Sequence, residues 1–98
     1  MLTGKQRSYL RGLADGLDPK VYIGKDGLTP NVVKTIDQYL TANEIIKGSI
    51  QEGAGLDAKE VCNEIAFKLN AQFVQAIGRK FVLYRESQDE EKKKIVLP

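Results

Sequence analysis

The chain has 98 residues, 42% hydrophobic and 29% charged, with a formal net charge of +2; this is one small domain with one modest core, and it excludes the disordered and membrane-spanning classes. No apolar run approaches the ~20 residues of a membrane helix, and Met1 to Gln6 enter polar sequence without a signal-peptide core, so the cytoplasm is the expected compartment. With one cysteine and no histidine, no disulfide, zinc or haem site is expected and no cofactor is implied.

A first helix is expected from about Thr3 or Gly4 to Ala14, where Leu2, Tyr9, Leu10 and Leu13 share an apolar stripe and Asp15-Gly16 ends it. Lys20 to Ile23 reads as a short strand between Asp18-Pro19 and a glycine loop. Thr29 as N-cap and Pro30 at the first helical position open a second helix, which Val32, Val33, Ile36 and Leu40 carry to about Thr41, with Asn43 as a stop. Glu44 to Ile50 reads as a second strand weakened by Gly48, and Glu52-Gly53-Ala54-Gly55 as a flexible connection. Asp57 and Glu60 form a D-x-x-E start to a third helix, buried on its Ala58, Val61, Cys62, Ile65 and Leu69 side, which makes Cys62 a packed thiol rather than a reactive one. Gln72 to Ile77 and Phe81 to Arg85 form an antiparallel hairpin through Gly78-Arg79-Lys80.

Glu86 to Lys94 has no apolar residue and is expected to be loose, with Ile95-Val96-Leu97 free to dock back. The domain is therefore placed at residues 1–86 and a charged tail at 87–98. The order α-β-α-β-α-β-β implies an α/β (α+β) fold, a mixed sheet covered chiefly on one side.

The candidate site is the stretch Ile23-Gly24-Lys25-Asp26-Gly27-Leu28-Thr29-Pro30, a G-x-x-G loop running into a helix start. Its glycines permit positive φ and close approach of backbone to ligand. A helix N-terminus favours anions, and Lys25 adds a cation, so a sugar-phosphate backbone is the natural ligand. Asp26 would repel a phosphate if it faced inward, and so is expected to face solvent, hold the turn or accept a 2′-hydroxyl.

Charge is divided unevenly: residues 1 to 85 hold 12 Lys/Arg against 9 Asp/Glu, and residues 86 to 98 hold three lysines against four acids. Lys5, Arg7 and Arg11 with Lys25 are the foremost candidates for a basic track, and Lys47, Arg79, Lys80 and Arg85 extend it, although not all can share one face. Tyr22 and Tyr84 are candidates to stack on bases, but a strand position favours packing for both. An enzyme for phosphorylated substrates is disfavoured: the loop lacks G-x-x-x-x-G-K-[ST], and no histidine is available for acid/base work. The alternative is a protein-interaction module that docks through the tail or an open sheet face.

Four blocks resemble the bacterial stand-alone CRM-domain proteins, the YhbY-like family. They are Leu2-Thr3-Gly4-Lys5-Gln6 with Leu10-Arg11; Ile23 to Thr29; Glu44-Ile45-Ile46-Lys47; and Val74-Gln75-Ala76-Ile77-Gly78 followed by Val82-Leu83-Tyr84-Arg85-Glu86-Ser87. The resemblance implies a four-stranded mixed sheet with three helices, similar to the C-terminal domain of translation initiation factor 3. It also implies RNA binding, in association with precursors of the large (50S) ribosomal subunit, and it makes a ribosomal or assembly protein the partner of the alternative interaction module. The lack of a spare apolar element fits a monomer, and no membrane contact is expected. The family's glycine loop, likened to the KH loop that clamps about four backbone nucleotides, maps onto Gly24, Lys25, Asp26 and Gly27. Gly48 and Ser49 depart from the β-branched run more usual in the second strand, and Gly53-Ala54-Gly55 is looser than typical.

Overall fold

The computed structural model describes residues 2–98. Helix α1 (Gly4–Asp15), strand β1 (Val21–Ile23), α2 (Pro30–Asn43), β2 (Ile45–Ile50), α3 (Ala58–Leu69), β3 (Gln72–Ile77) and β4 (Lys80–Tyr84) follow the expected order, with a short 3₁₀ turn at Glu90–Lys92. The strands form one mixed sheet in the order β1-β2-β4-β3, in which β1 runs parallel to β2 and the other neighbours are antiparallel. The parallel pair needs a crossover, which α2 supplies.

Each helix begins on a side-chain cap. Thr3 Oγ1 accepts from the Gln6 amide at 3.1 Å while Gln6 Oε1 accepts from the Thr3 amide at 3.1 Å, a reciprocal box that the sequence reading did not single out. Thr29 Oγ1 accepts from the Val32 amide at 3.3 Å with Pro30 in the first turn, as expected, and Asp57 Oδ2 accepts from the Glu60 amide at 3.1 Å.

One face of the sheet is covered by two helices, and α1 with the tail covers about half of the other, which adds a second layer to the chiefly one-sided arrangement expected. On one face α2 and α3 bury Ile36, Leu40, Val61, Cys62 and Ile65 against Val21, Ile23, Ile46, Ile50, Phe81 and Leu83. On the other, Leu10 and Ala14 of α1 pack with Leu2 on Ile45, Val74, Val82 and Tyr84, and Leu17, Ile95 and Leu97 close the cluster. The second layer was hard to foresee because the tail supplies part of it from only two apolar side chains. Cys62 is fully buried, its thiol pushed up to about 12 by burial, in agreement with a packing role.

Gly48, which made the second strand look weak, is there for steric reasons. It pairs directly with Phe81 across the β2–β4 ladder, and a Cβ at 48 would lie 2.8 Å from ring atoms Cε1 and Cε2. The Phe81 ring occupies the space that a side chain would need, and it is itself fully buried.

The junction after α2 differs most from expectation. Glu44 does not begin the strand; it caps α2 in the left-handed region at φ 69°, and its amide donates to the Leu40 carbonyl at 2.8 Å. Such a backbone costs a non-glycine residue about 1–2 kcal/mol, offset here by what the side chain does. The fully buried carboxylate accepts three backbone N–H groups from the tail: Ser87 at 2.7 Å on Oε2, and Lys94 at 2.6 Å and Ile95 at 3.0 Å on Oε1. The segment expected to be loose is thereby held, with Ile95 and Leu97 against the α1 layer.

Burial opposes ionisation of Glu44, but the three amides, aided by Lys93, outweigh it and hold the carboxyl below its ordinary range. Because the folded value is depressed, this contribution to stability is present in full above the ordinary glutamate value of about 4.3 and is lost as pH falls through the lower folded value. Glu44→Gln presents an amide donor to a donor. It is expected to lower stability in urea melts by about 2–3 kcal/mol at pH 7, a loss of charge-assisted hydrogen bonds. The difference from wild type should shrink at pH 3.

Candidate nucleic-acid interface

One end of the sheet carries the C-terminus of β1, the exit of β2 and the β3–β4 turn, which gathers the glycine loop, Gln51–Gly55 and Gly78–Lys80. The loop is a β-turn closed by the Gly27 amide on the Gly24 carbonyl at 2.9 Å, with Gly27 at φ 69°, and the Thr29 amide continues to the Gly27 carbonyl at 3.1 Å. Among the described residues, the Lys25, Asp26 and Leu28 amides have no backbone partner. Lys25 and Asp26 are exposed, while Gly24, Gly27 and Thr29 are half-buried. The Thr29 hydroxyl is engaged in capping, and Pro30 has no N–H.

The expected cations divide into three groups. Lys25, Arg79 and Lys80 share the loop end of the sheet and are exposed. Arg79 approaches Glu52 only at 4.0 Å with both side chains largely in solvent, a pairing of little energetic consequence.

Arg7 and Arg11 form the second group, one turn apart on α1. Tyr9 and Leu13 of that helix line a cavity of about 300 Å³ with Leu17, Tyr39, Asn43, Ile45 and Ile95, on the tail side. At about 100° per residue, Arg7 and Arg11 fall on the flank turned away from that cavity, toward the loop half of the sheet. Arg7 is half-buried, with its Nε enclosed and without a hydrogen-bond partner, while Arg11 is exposed. Lys5 is exposed on the outer side of the same helix.

The third group is structural. Lys47 Nζ donates to the Ala14 carbonyl at 3.2 Å, completing the C-terminus of α1. Arg85 lies at the opposite end of the sheet from the loop. Its Nη1 meets the Leu69 carbonyl at 3.0 Å and Asp37 Oδ1 at 2.8 Å, and its Nη2 meets the Asp37 carbonyl at 3.0 Å and Thr41 Oγ1 at 2.9 Å. Three guanidinium hydrogen bonds and one ion pair thus brace the C-terminal half of α2 and the end of α3.

The two tyrosines separate. Tyr84 is buried in the α1 layer, as its strand position suggested, whereas Tyr22 is 59% exposed, contrary to the packing role favoured for it. Alternation contained the signal: Val21 and Ile23 go to the α2/α3 core, so Tyr22 must point to the other face, and α1 does not reach it. Toward the C-terminus, Lys93 Nζ bridges Glu86 and Glu90 at 3.0 and 3.1 Å.

A mixed four-stranded sheet with three helices defines a small α/β domain whose loop end leaves the amides of a glycine turn and neighbouring cations to solvent. Residues 2–85 match the CRS1 / YhbY (CRM) domain, and the chain belongs to that family. It is 41% identical over 98 residues to the "Probable RNA-binding protein YqeI" of Bacillus subtilis, covering the whole of both chains. It is likewise 41% identical to an "RNA-binding protein" of Haemophilus influenzae, over 99% of this chain and 95% of the relative. The solution structure of the hypothetical protein SAV1595 from Staphylococcus aureus superposes with a TM-score of 0.80 at 40% identity, covering all of both chains. Both relatives' names describe binding and neither an activity. Among the described residues, no helix is long and apolar enough to cross a membrane.

The two glycines of the loop have different tasks, which melts of the single variants separate. Gly27→Ala places a β-carbon at φ 69° and should cost about 1–2 kcal/mol. In Gly24→Ala the new Cβ meets only the end of the exposed Gln51 side chain, at 2.7 Å from Oε1, so Gln51 moves aside and the loss should stay within about 0.5 kcal/mol.

Proposed function

We propose that this protein binds RNA through its glycine turn, with the phosphate accepted by the Lys25 and Asp26 amides and Lys25 closing over it. The observation that carries this reading is an exposed turn with unpaired amides at the start of a capped helix, in a chain whose relatives are named for RNA binding. Arg79 and Lys80 continue the track along the same end of the sheet, and Arg7 and Arg11 flank it. Lys5 and Lys47 lie at its margin, and Arg85 acts from within the fold. Asp26 turns its carboxylate outward, where a 2′-hydroxyl can donate to it.

The RNA is that of a precursor of the large ribosomal subunit, a target to which the family resemblance directs the reading. Contacts of this kind position a backbone and carry no base code, so RNA shape and salt govern the affinity. Gel-shift titrations of a large-subunit rRNA fragment across a salt series test it. The double variant Lys25→Glu with Arg11→Glu is expected to bind about tenfold or more weakly and with a shallower salt dependence, while its thermal melt stays close to wild type. Unchanged binding overturns the track. Crosslinking in cells should recover large-subunit precursor RNA, and recovery of tRNA or messenger instead overturns the target.

A further inference from the structure

We propose that the uncovered strip of the sheet beside the glycine turn is a platform for an unpaired RNA segment, with Tyr22 stacked on a base; this rests on the RNA reading above. Strand register defines the strip. Tyr22 pairs with Ser49, Ser49 with Lys80 and Lys80 with Ile77, so these four side chains form one row across all four strands. Their sequence neighbours Ile23, Ile50, Phe81 and Ala76 belong to the α2/α3 core, which turns the row to the opposite face. On that face α1 and the tail cover Ile45, Val74, Val82 and Tyr84 and stop short of the row, leaving Tyr22 59% and Ile77 67% exposed.

The chemistry of the strip fits nucleic acid better than protein. Tyr22 and Ile77 stand about 14 Å apart, three strand spacings of ~4.8 Å, with a hydroxyl and an ammonium between them, so no contiguous apolar patch awaits an apolar partner. No carboxylate faces outward from this row or from Lys47 and Gln75 in the next. Arg7 and Arg11 flank it, Arg79 and Lys25 stand at its loop end, and the electrostatic complement is a polyanion. A duplex keeps its bases stacked inside, whereas a single strand can lay one flat on an aromatic ring. Tyr22 precedes Gly24 by two residues, so a strand whose phosphate sits in the turn brings its next base over the ring.

The test measures binding of two RNAs, an unstructured mixed-pyrimidine oligoribonucleotide and a blunt hairpin of equal length. The proteins are wild type, Tyr22→Val, Tyr22→Phe, Lys80→Gln and the Lys25→Glu/Arg11→Glu double variant. Valine keeps the strand preference at an exposed position, and Tyr22→Ile is its companion should Tyr22→Val melt early. Tyr22→Val is expected to lose about tenfold for the single strand, the loss of one stacked base. Its salt dependence and hairpin binding should not change, Tyr22→Phe should bind as wild type, and Lys80→Gln should flatten the salt dependence. Wild-type binding of the single strand by Tyr22→Val, or an equal loss on the hairpin, overturns the platform. If the double variant still loses affinity in that case, the glycine-turn reading stands without the platform. If it too binds normally, the turn reading has failed as well.

Discussion

The structure turns on the buried carboxylate of Glu44. It terminates α2 in a left-handed cap, its carbonyl accepts the Arg85 amide at 2.8 Å as β4 ends, and its carboxylate gathers three amides of the tail. One residue therefore joins the end of a helix, the edge of the central ladder and a segment some fifty positions away in the chain. A charge so enclosed is tolerable only when fully hydrogen-bonded, which makes the docked tail and the ionised carboxylate conditions of each other. Ile95 and Leu97 can then complete the α1 layer over one half of the sheet face. The other half stays open because neither the helix nor the tail extends that far.

The sheet thus acquires two unlike ends. At the tail end, Arg85, Asp37, Thr41 and Glu44 satisfy one another or nearby backbone groups, and little donor capacity remains. At the loop end the polar groups are left to solvent: the turn's amides, Lys25, Arg79 and Lys80. The same sequence type, a basic residue near a strand terminus, has opposite uses at 80 and at 85, and the difference lies in whether helix carbonyls surround it.

Much of this was legible from local signals. Thr29-Pro30 specified the start of α2 because capping and proline geometry are short-range, and the periodicities of 3.6 and 2 specified the remaining elements. The role of Glu44 was not legible, since its partners are backbone groups of Ser87, Lys94 and Ile95, which have no sequence signature. Gly48 looked like a defect in a strand until its cross-strand partner was known to be Phe81. Arg85 looked like a surface cation because the carbonyls that bind it come from helix ends distant in sequence. Tyr22 was partly legible: alternation gives its face, but only the length and placement of α1 decide whether that face is covered.

On the RNA reading proposed above, a net charge of +2 is small for holding a polyanion, and the arrangement of charge explains how it would suffice. Lys93 pairs with Glu86 and Glu90, which ties up tail acids far from the loop, and Arg85 draws Asp37 to the same remote end. Asp26 lies within the turn, and Glu52 stands on the segment that leaves β2 at the same end of the sheet. The 4.0 Å separation of Glu52 from Arg79, both exposed, is a weak pairing that leaves the guanidinium largely to solvent. For the proposed phosphate contact, the two carboxylates would limit affinity at the loop end without abolishing it. If the proposed reading holds, such a surface would release non-specific RNA readily at cellular salt and depend on the shape of its target for a lasting hold.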